Sequence, residues 1–344
     1  MILFQCDYNE GAHPRIMERM MTTNLEQNPG YGEDSHCSRA AQLIREACGK
    51  DTLAVHFLVG GTQANLTVIA SALRSHQGAV GAVTAHINVH ETGSIEATGH
   101  KVLALPSEDG KITAEQVEEL YQAHIRDESF EHTVQPKMVY ISNPTELGTI
   151  YTRAEMENLY GVCRKYGLYL FVDGARLAYG LAAEGNDLDL KSLAASCDVF
   201  YIGGTKVGAL FGEAVVILND ELKADFRYHI KQRGGMLAKG RLLGIQFGEL
   251  LRDGLYFELG AHADRLADKI RCACVKKGYP FLVENTTNQV FPIMPDALLE
   301  SWKDKYSYTN QGRVDESHTA IRLCTSWITS GEQVDILVND ILNS

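Results

Sequence analysis

A lysine stands at position 206 within YIGGTKVGALFGEAVVI, residues 201–217, and no other charged side chain precedes Glu213 in that stretch. Burial disfavours an ammonium group, so a lysine among small and apolar residues loses its proton more readily, and a neutral amine attacks carbonyls. Taken alone, the same lysine could lie in a turn and lift its tip to solvent. Three other places put polar residues just after an apolar run, where ligands sit in parallel α/β sheets. GGTQAN at 60–65 leads from an apolar run into a helix. Backbone N–H groups there, with the Thr62 hydroxyl, would bind one phosphate, although a glycine turn can also be plain strand-to-helix geometry. VDGAR at 172–176 sets Asp173 at the end of LYLFV. A carboxylate at the edge of an apolar interior needs a partner, either a cationic ring nitrogen or Arg176. AHINVHE at 85–91 offers His86, and the His86/His90 spacing with Glu91 could suit zinc but lacks the HExxH order.

Together the four places describe one ligand with a phosphate, a ring nitrogen that needs a carboxylate, an aromatic face and an aldehyde held by lysine. Pyridoxal phosphate has all four. A phosphate-binding loop of the GxxxxGK[ST] kind is absent, because Lys206 is followed by valine.

The elements that must position these residues alternate. SHCSRAAQLIREAC, closed by Gly49, reads as a helix before the strand TLAVHFLV, and GGTQANLTVIASALRS is a second helix. VGAVTAHINV and KVLALP read as strands. Thr113/Gln116 and Thr152/Glu155 are capping boxes opening two more helices, followed by the strands KMVYISN and LYLFVDGA. Short apolar strands separated by helices predict an α/β fold with a mostly parallel sheet covered on both faces. A helical stretch from about Arg241 to Lys277 follows, and then strands FLVEN, NQVFPIM and TAIRLCTS mix with helices, the last capped by Ser330. This pattern predicts a large domain over 1–244 and a small C-terminal α+β domain over 245–344.

The 344 residues are 45% hydrophobic and 22% charged, which suits a chain with a buried core. A net charge of −12 without basic runs argues against nucleic acid or an anionic membrane surface as partner and for a small molecule. No apolar run approaches a spanning helix, the start MILFQCDYNEG has no signal-peptide pattern, and the eight cysteines lack paired CxxC spacing. A cytoplasmic location is the expectation.

The set CDYNEG, YGEDS at 31–35, GTQANL at 61–66, Ala85-His86, VDGAR, Thr205-Lys206, RGGM at 233–236 and IRLCT at 321–325 resembles the threonine aldolase family, within the aspartate aminotransferase-like fold type I pyridoxal-phosphate enzymes. The resemblance implies a homodimer or homotetramer with shared sites and an amino-acid substrate. It implies that Lys206 holds the cofactor as a Schiff base, Asp173 keeps the ring nitrogen protonated, His86 stacks on the ring, Gly61 and Thr62 bind the phosphate, and Thr205 is a further cofactor-binding residue. It puts Arg176 near the ring oxygen and substrate carboxylate, Arg322 and Cys6 at the substrate, and Lys231 toward a neighbouring subunit's cofactor, with no metal. The implied reaction is cleavage of an L-β-hydroxy-α-amino acid to glycine and an aldehyde, with His86, or a water it holds, as base. A β-eliminating lyase is the neighbouring possibility. Family members typically carry serine before the first aspartate and a histidine in an ENTHN-like turn. Here these places read Cys6-Asp7 and SNPTELG at 142–148, leaving Thr145 or Glu146 nearest the missing histidine.

Overall fold

The computed structural model describes residues 1–344. Seven strands form the central sheet in the order Ala54–Leu58, Glu213–Ile217, Val199–Gly203, Tyr169–Asp173, Gln135–Ser142, Gln77–Ala82 and Val102–Leu105. Only Glu213–Ile217 runs against its neighbours. The other pairings are parallel, as unbroken apolar runs buried on both faces require. Every residue of Gln77–Ala82, Val199–Gly203 and Glu213–Ile217 is buried.

Register brings the chemistry to one edge. Leu58 pairs with Glu213, Glu213 with Gly203, and Ser142 with Asp173. Because one strand is reversed, its first residue lies at the edge where the others end.

The helices form for local reasons. Thr113/Gln116, Thr152/Glu155 and Ser330/Gln333 are complete capping boxes, and Asp34 accepts from the Cys37 N–H. Gly49 and Gly167 end their helices in the left-handed conformation. Gly174, inside VDGAR, has no alternative, since a Cβ there would lie 1.9 Å from the Tyr201 carbonyl oxygen.

Three expectations change. The strand expected through AHINV ends at Ala82, and His86–Val89 is a helical turn. FLVEN makes only an isolated bridge, Phe281 to Pro292. The long helix is two, Arg241–Leu251 and Leu255–Lys277, parted where Asp253 adopts φ 59°.

Leu255–Lys277 joins two cores. Leu255, Tyr256, Leu259 and Ala263 belong to the core around the central sheet, whereas Leu266, Ala267, Ile270, Ala273 and Cys274 pack in a second core with Phe4, Trp302 and Leu323. That second core underlies the antiparallel sheet of Ile293–Pro295, His318–Cys324 and Thr309–Arg313. Helix Arg241–Leu251 packs on Ser35–Cys48, within the larger unit. No helix is long and apolar enough to cross a membrane.

Candidate active site

A cavity of about 270 Å³ opens at the carboxyl edge of the sheet. Gly60, Gly61 and Thr62 reach it after Ala54–Leu58, and His86 after Gln77–Ala82. Ser142 and Glu146 line it from Gln135–Ser142 and the loop beyond, Asp173 and Arg176 from the end of Tyr169–Asp173, and Thr205 and Lys206 after Val199–Gly203. Seven of the ten sequence-identified residues thus meet there: Gly61, Thr62, His86, Asp173, Arg176, Thr205 and Lys206.

The Lys206 amine projects into the cavity without an ion pair or hydrogen bond to the protein. Burial lowers its pKa, the Arg176 charge adds to the effect, and Asp7, Asp173 and Glu213 oppose it. Glu213, in the same wall, is pushed up to about 8 by burial despite the attraction of Lys206. One Glu213 oxygen accepts from the Thr205 hydroxyl at 3.0 Å, and the other is buried without a partner. Both shifts favour a neutral amine beside a neutral acid.

Asp173 is surrounded by donors. Its Oδ2 accepts from the Tyr140 hydroxyl at 2.6 Å and the Asn65 amide at 3.0 Å, and its Oδ1 from the Ala175 N–H at 2.9 Å. Burial and the Asp173 charge keep the Tyr140 and Tyr201 hydroxyls protonated, so both remain donors. This shell fixes the orientation of the Asp173 carboxyl group in the cavity wall.

Arg176 does not pair with Asp173. Its Nε and Nη2 donate to the two oxygens of Asp7 at 2.8 and 3.0 Å, and Asn288 donates to Asp7 at 2.9 Å. His86 donates its backbone N–H to Glu146 at 2.9 Å, and its Nδ1 lies 2.8 Å from Glu91. The two residues nearest the missing histidine differ in placement. The Thr145 hydroxyl bonds Thr149 and is buried, while Glu146 lines the cavity with its carboxyl pKa raised by burial.

Three sequence-identified residues lie outside the lining. Arg322 contacts Gln289, Thr309 and the Gln5 carbonyl, and its charge acts on Tyr8, which lines the cavity, and on His90. Cys6 bonds Asn9. Lys231 lies 4.8 Å above the Tyr31 ring, in a separate shallow hollow with Tyr228 and Met236. His86, His90 and Glu91 do not gather as a metal-holding set.

Sequence reasoning missed Asn65, Tyr140, Tyr201 and Glu213 as parts of the site, and named Glu91 only as a possible metal ligand, whereas it bonds His86. Asn65 and Glu213 stand inside motifs already singled out, but Asn65 meets partners from distant segments, and Glu213 reaches the wall through the register of a reversed strand.

The donor set fits pyridoxal phosphate. An unpartnered amine suits its aldehyde, and the donor-held Asp173 suits a protonated ring nitrogen. Helix Gly61–Ala72 starts without a side-chain cap, and a Cβ added at Gly60 would meet no atom within 4 Å, which leaves room and N–H groups for a phosphate.

Fold and cavity define an aspartate aminotransferase-like fold type I enzyme. The chain belongs to the beta-eliminating lyase family, whose model matches residues 6–295, and within it to the threonine aldolases. It is 31% identical to a low specificity L-threonine aldolase from Pseudomonas sp. over 345 residues, covering 98% of this chain and 96% of that one. A solved Leishmania major threonine aldolase is 43% identical, with TM-score 0.97 over 100% of this chain and 99% of that one. A Thermus thermophilus aspartate aminotransferase, 14% identical, shares the fold at TM-score 0.73 over 100% of this chain and 91% of that one.

Proposed function

We propose that this protein is a pyridoxal-phosphate-dependent aldolase that cleaves L-β-hydroxy-α-amino acids, threonine or allo-threonine, to glycine and an aldehyde. The observation that carries the reading is the unpaired Lys206 amine in a cavity bounded by Asp173 and the uncapped helix start at Gly61. Relatives named threonine aldolase along almost the whole chain support the choice of reaction.

When bound, pyridoxal phosphate supplies an aldehyde for amino groups and a ring that draws electrons from the bond broken at the substrate α-carbon. Lys206 would hold the aldehyde and release it to the substrate amine, and Asp173 would keep the ring nitrogen protonated. Gly61, Thr62 and Thr205 would hold the phosphate. The His86 ring would lie against the cofactor, with its Nε2 taking the β-hydroxyl proton directly or through a water. Arg176, fixed by Asp7, and Arg322 at the rim would orient the substrate carboxylate, with Cys6 nearby.

We also place the protein in a homodimer or homotetramer, with the exposed face of Tyr31, Tyr228 and Lys231 turned to a neighbouring subunit's cavity. Tyr31 and Tyr228 are 47% and 77% exposed and lie together with Met236 and Lys231, a grouped apolar face of the kind that marks interaction sites. All eight cysteines are free, which suits a reducing, cytoplasmic compartment.

Purified protein with pyridoxal phosphate should release glycine and an aldehyde from L-threonine or L-allo-threonine. Release of a 2-oxo acid and ammonia without glycine would instead assign it a β-eliminating reaction.

A further inference from the structure

Glu91 has no cation beside it other than a histidine. Its side chain is fully buried, Oε2 accepts from the Ser94 hydroxyl at 2.6 Å, and Oε1 accepts from the Asn65 amide at 2.7 Å. Oε1 also lies 2.8 Å from His86 Nδ1. The same Asn65 nitrogen reaches Asp173 Oδ2 at 3.0 Å, so its two hydrogens are divided between two carboxyl groups. Its own carbonyl oxygen is buried without a partner. Four side chains, His86, Glu91, Asn65 and Asp173, therefore form one unbroken chain of contacts behind the cavity wall.

Direction follows from donor chemistry. A carboxylate can only accept, so the imidazole must carry its proton on Nδ1 to bond Glu91, which leaves the Nε2 lone pair free. Nε2 has no partner in the protein, and His86 lines the cavity.

We propose that Glu91 is a positioning residue that holds His86 in the Nδ1-protonated form, with Nε2 presented to the cavity as the proton acceptor, and that Asn65 ties this pair in register with Asp173. When a substrate hydroxyl gives its proton to Nε2, the O–H bond breaks, an N–H bond forms, and the ring becomes a cation with protons on both nitrogens. The buried carboxylate facing Nδ1 stabilises that cation. The shared amide holds the Glu91 and Asp173 carboxyl groups at a constant separation, because Asn65 cannot shift toward one without losing the other, and Glu91 in turn holds the His86 ring.

The proposal rests on the cavity being the lyase site, and two readouts keep the two claims apart. The ring ¹⁵N shifts of His86 in the cofactor-loaded protein should show hydrogen on Nδ1, and Glu91→Ala should abolish that preference. Hydrogen on Nε2 in the unaltered protein would overturn the proposal. Glu91→Ala should retain the cofactor's visible band and change KM little while lowering kcat at least about tenfold. Added formate, seated where the carboxylate was, should restore part of the rate. A kcat within about twofold of the unaltered protein would overturn the proposal, since an acid–base group contributes far more. Should Glu91→Ala fail to fold, Glu91→Gln keeps the volume, loses the charge and exchanges one acceptor oxygen for a donor, and must likewise lower kcat at least about tenfold without loss of the band. If the tautomer follows Glu91 but no β-hydroxy amino acid is cleaved, the pair stands and the functional reading fails.

Discussion

Asp7 and Arg176, 169 residues apart, are joined by two hydrogen bonds of 2.8 and 3.0 Å, and Asn288 of the C-terminal part closes on the same carboxylate. The carboxylate side chain is fully buried and the guanidinium 11% exposed. Burial alone would raise the Asp7 pKa, but the Arg176 charge and the hydrogen bonds from Arg176 and Asn288 oppose it, and the pKa lies below its ordinary value. Asp7→Asn removes one partner of a buried pair and should cost about 3–5 kcal/mol, read by urea unfolding at neutral pH. Because the folded-state pKa is depressed, the stabilisation is complete above the ordinary aspartate value. It falls away as pH drops through the lower folded value. An Asp7→Asn protein that matched the unaltered one at neutral pH would show that the pair contributes nothing.

Lys206→Ala should fold normally by far-UV circular dichroism but fail to give the visible absorption of a lysine–cofactor imine. Activity should fall by at least about 10³-fold, the scale expected when a covalent nucleophile is removed. Persistence of that band would assign the aldehyde to another amine.

Glu146 and Thr145 should separate cleanly. Glu146→Gln changes a group in the cavity wall and should alter kcat/KM for β-hydroxy amino acids, with different factors for small and large β-substituents. Thr145→Val loses the 2.7 Å bond to Thr149 and should lower Tm with KM unchanged, a cost of about 1 kcal/mol. The reverse pattern would give the substrate-facing role to Thr145.

Asp264 tests an unpaired acid away from the cavity. Both its oxygens are buried without partners, and burial lifts its pKa to about 9 against the pull of Arg271 and Arg265. A raised carboxyl pKa means the folded state binds the proton more tightly, so stability declines as pH rises from the ordinary value until the folded value is reached. Asp264→Asn lacks this decline. Its advantage over the unaltered protein should widen by up to about 1.4 kcal/mol per pH unit between pH 5 and 8. Parallel stability curves for the two proteins would contradict the assignment.

Gly174→Ala should be poorly tolerated. The added methyl would overlap the Tyr201 carbonyl oxygen, backbone that cannot move without shifting Val199–Gly203. A loss of about 3 kcal/mol or more, seen as a lower Tm, is expected.

Local chemistry was legible along the chain wherever one segment carried it. Thr152 and Glu155 announce their helix because cap and partner are three residues apart, and Asp173 and Lys206 stand out because each follows an apolar run. The shell behind them was not legible. Asn65 meets Asp173 across 108 residues, and no periodicity connects an amide in GTQANL to a carboxylate in VDGAR. Glu213 stood in view beside Lys206, yet only strand register, setting it against Gly203, makes it part of the wall. The expected Asp173–Arg176 alternative failed for the same reason, since Asp7, the true partner of Arg176, arrives from the far N-terminus.

The loop that carries Lys206 is tied at its neck. Gly204 and Thr205 both donate to the Gly212 carbonyl, and Gly212 donates back to the Thr205 hydroxyl at 3.0 Å. Flexible loops lose conformational freedom when they close on a ligand, and that loss weakens binding. Here the ordering takes place during folding, so a lysine delivered on a closed ring can capture an aldehyde with little further restriction. Loosening the neck would therefore slow cofactor capture even with every residue of the cavity in place.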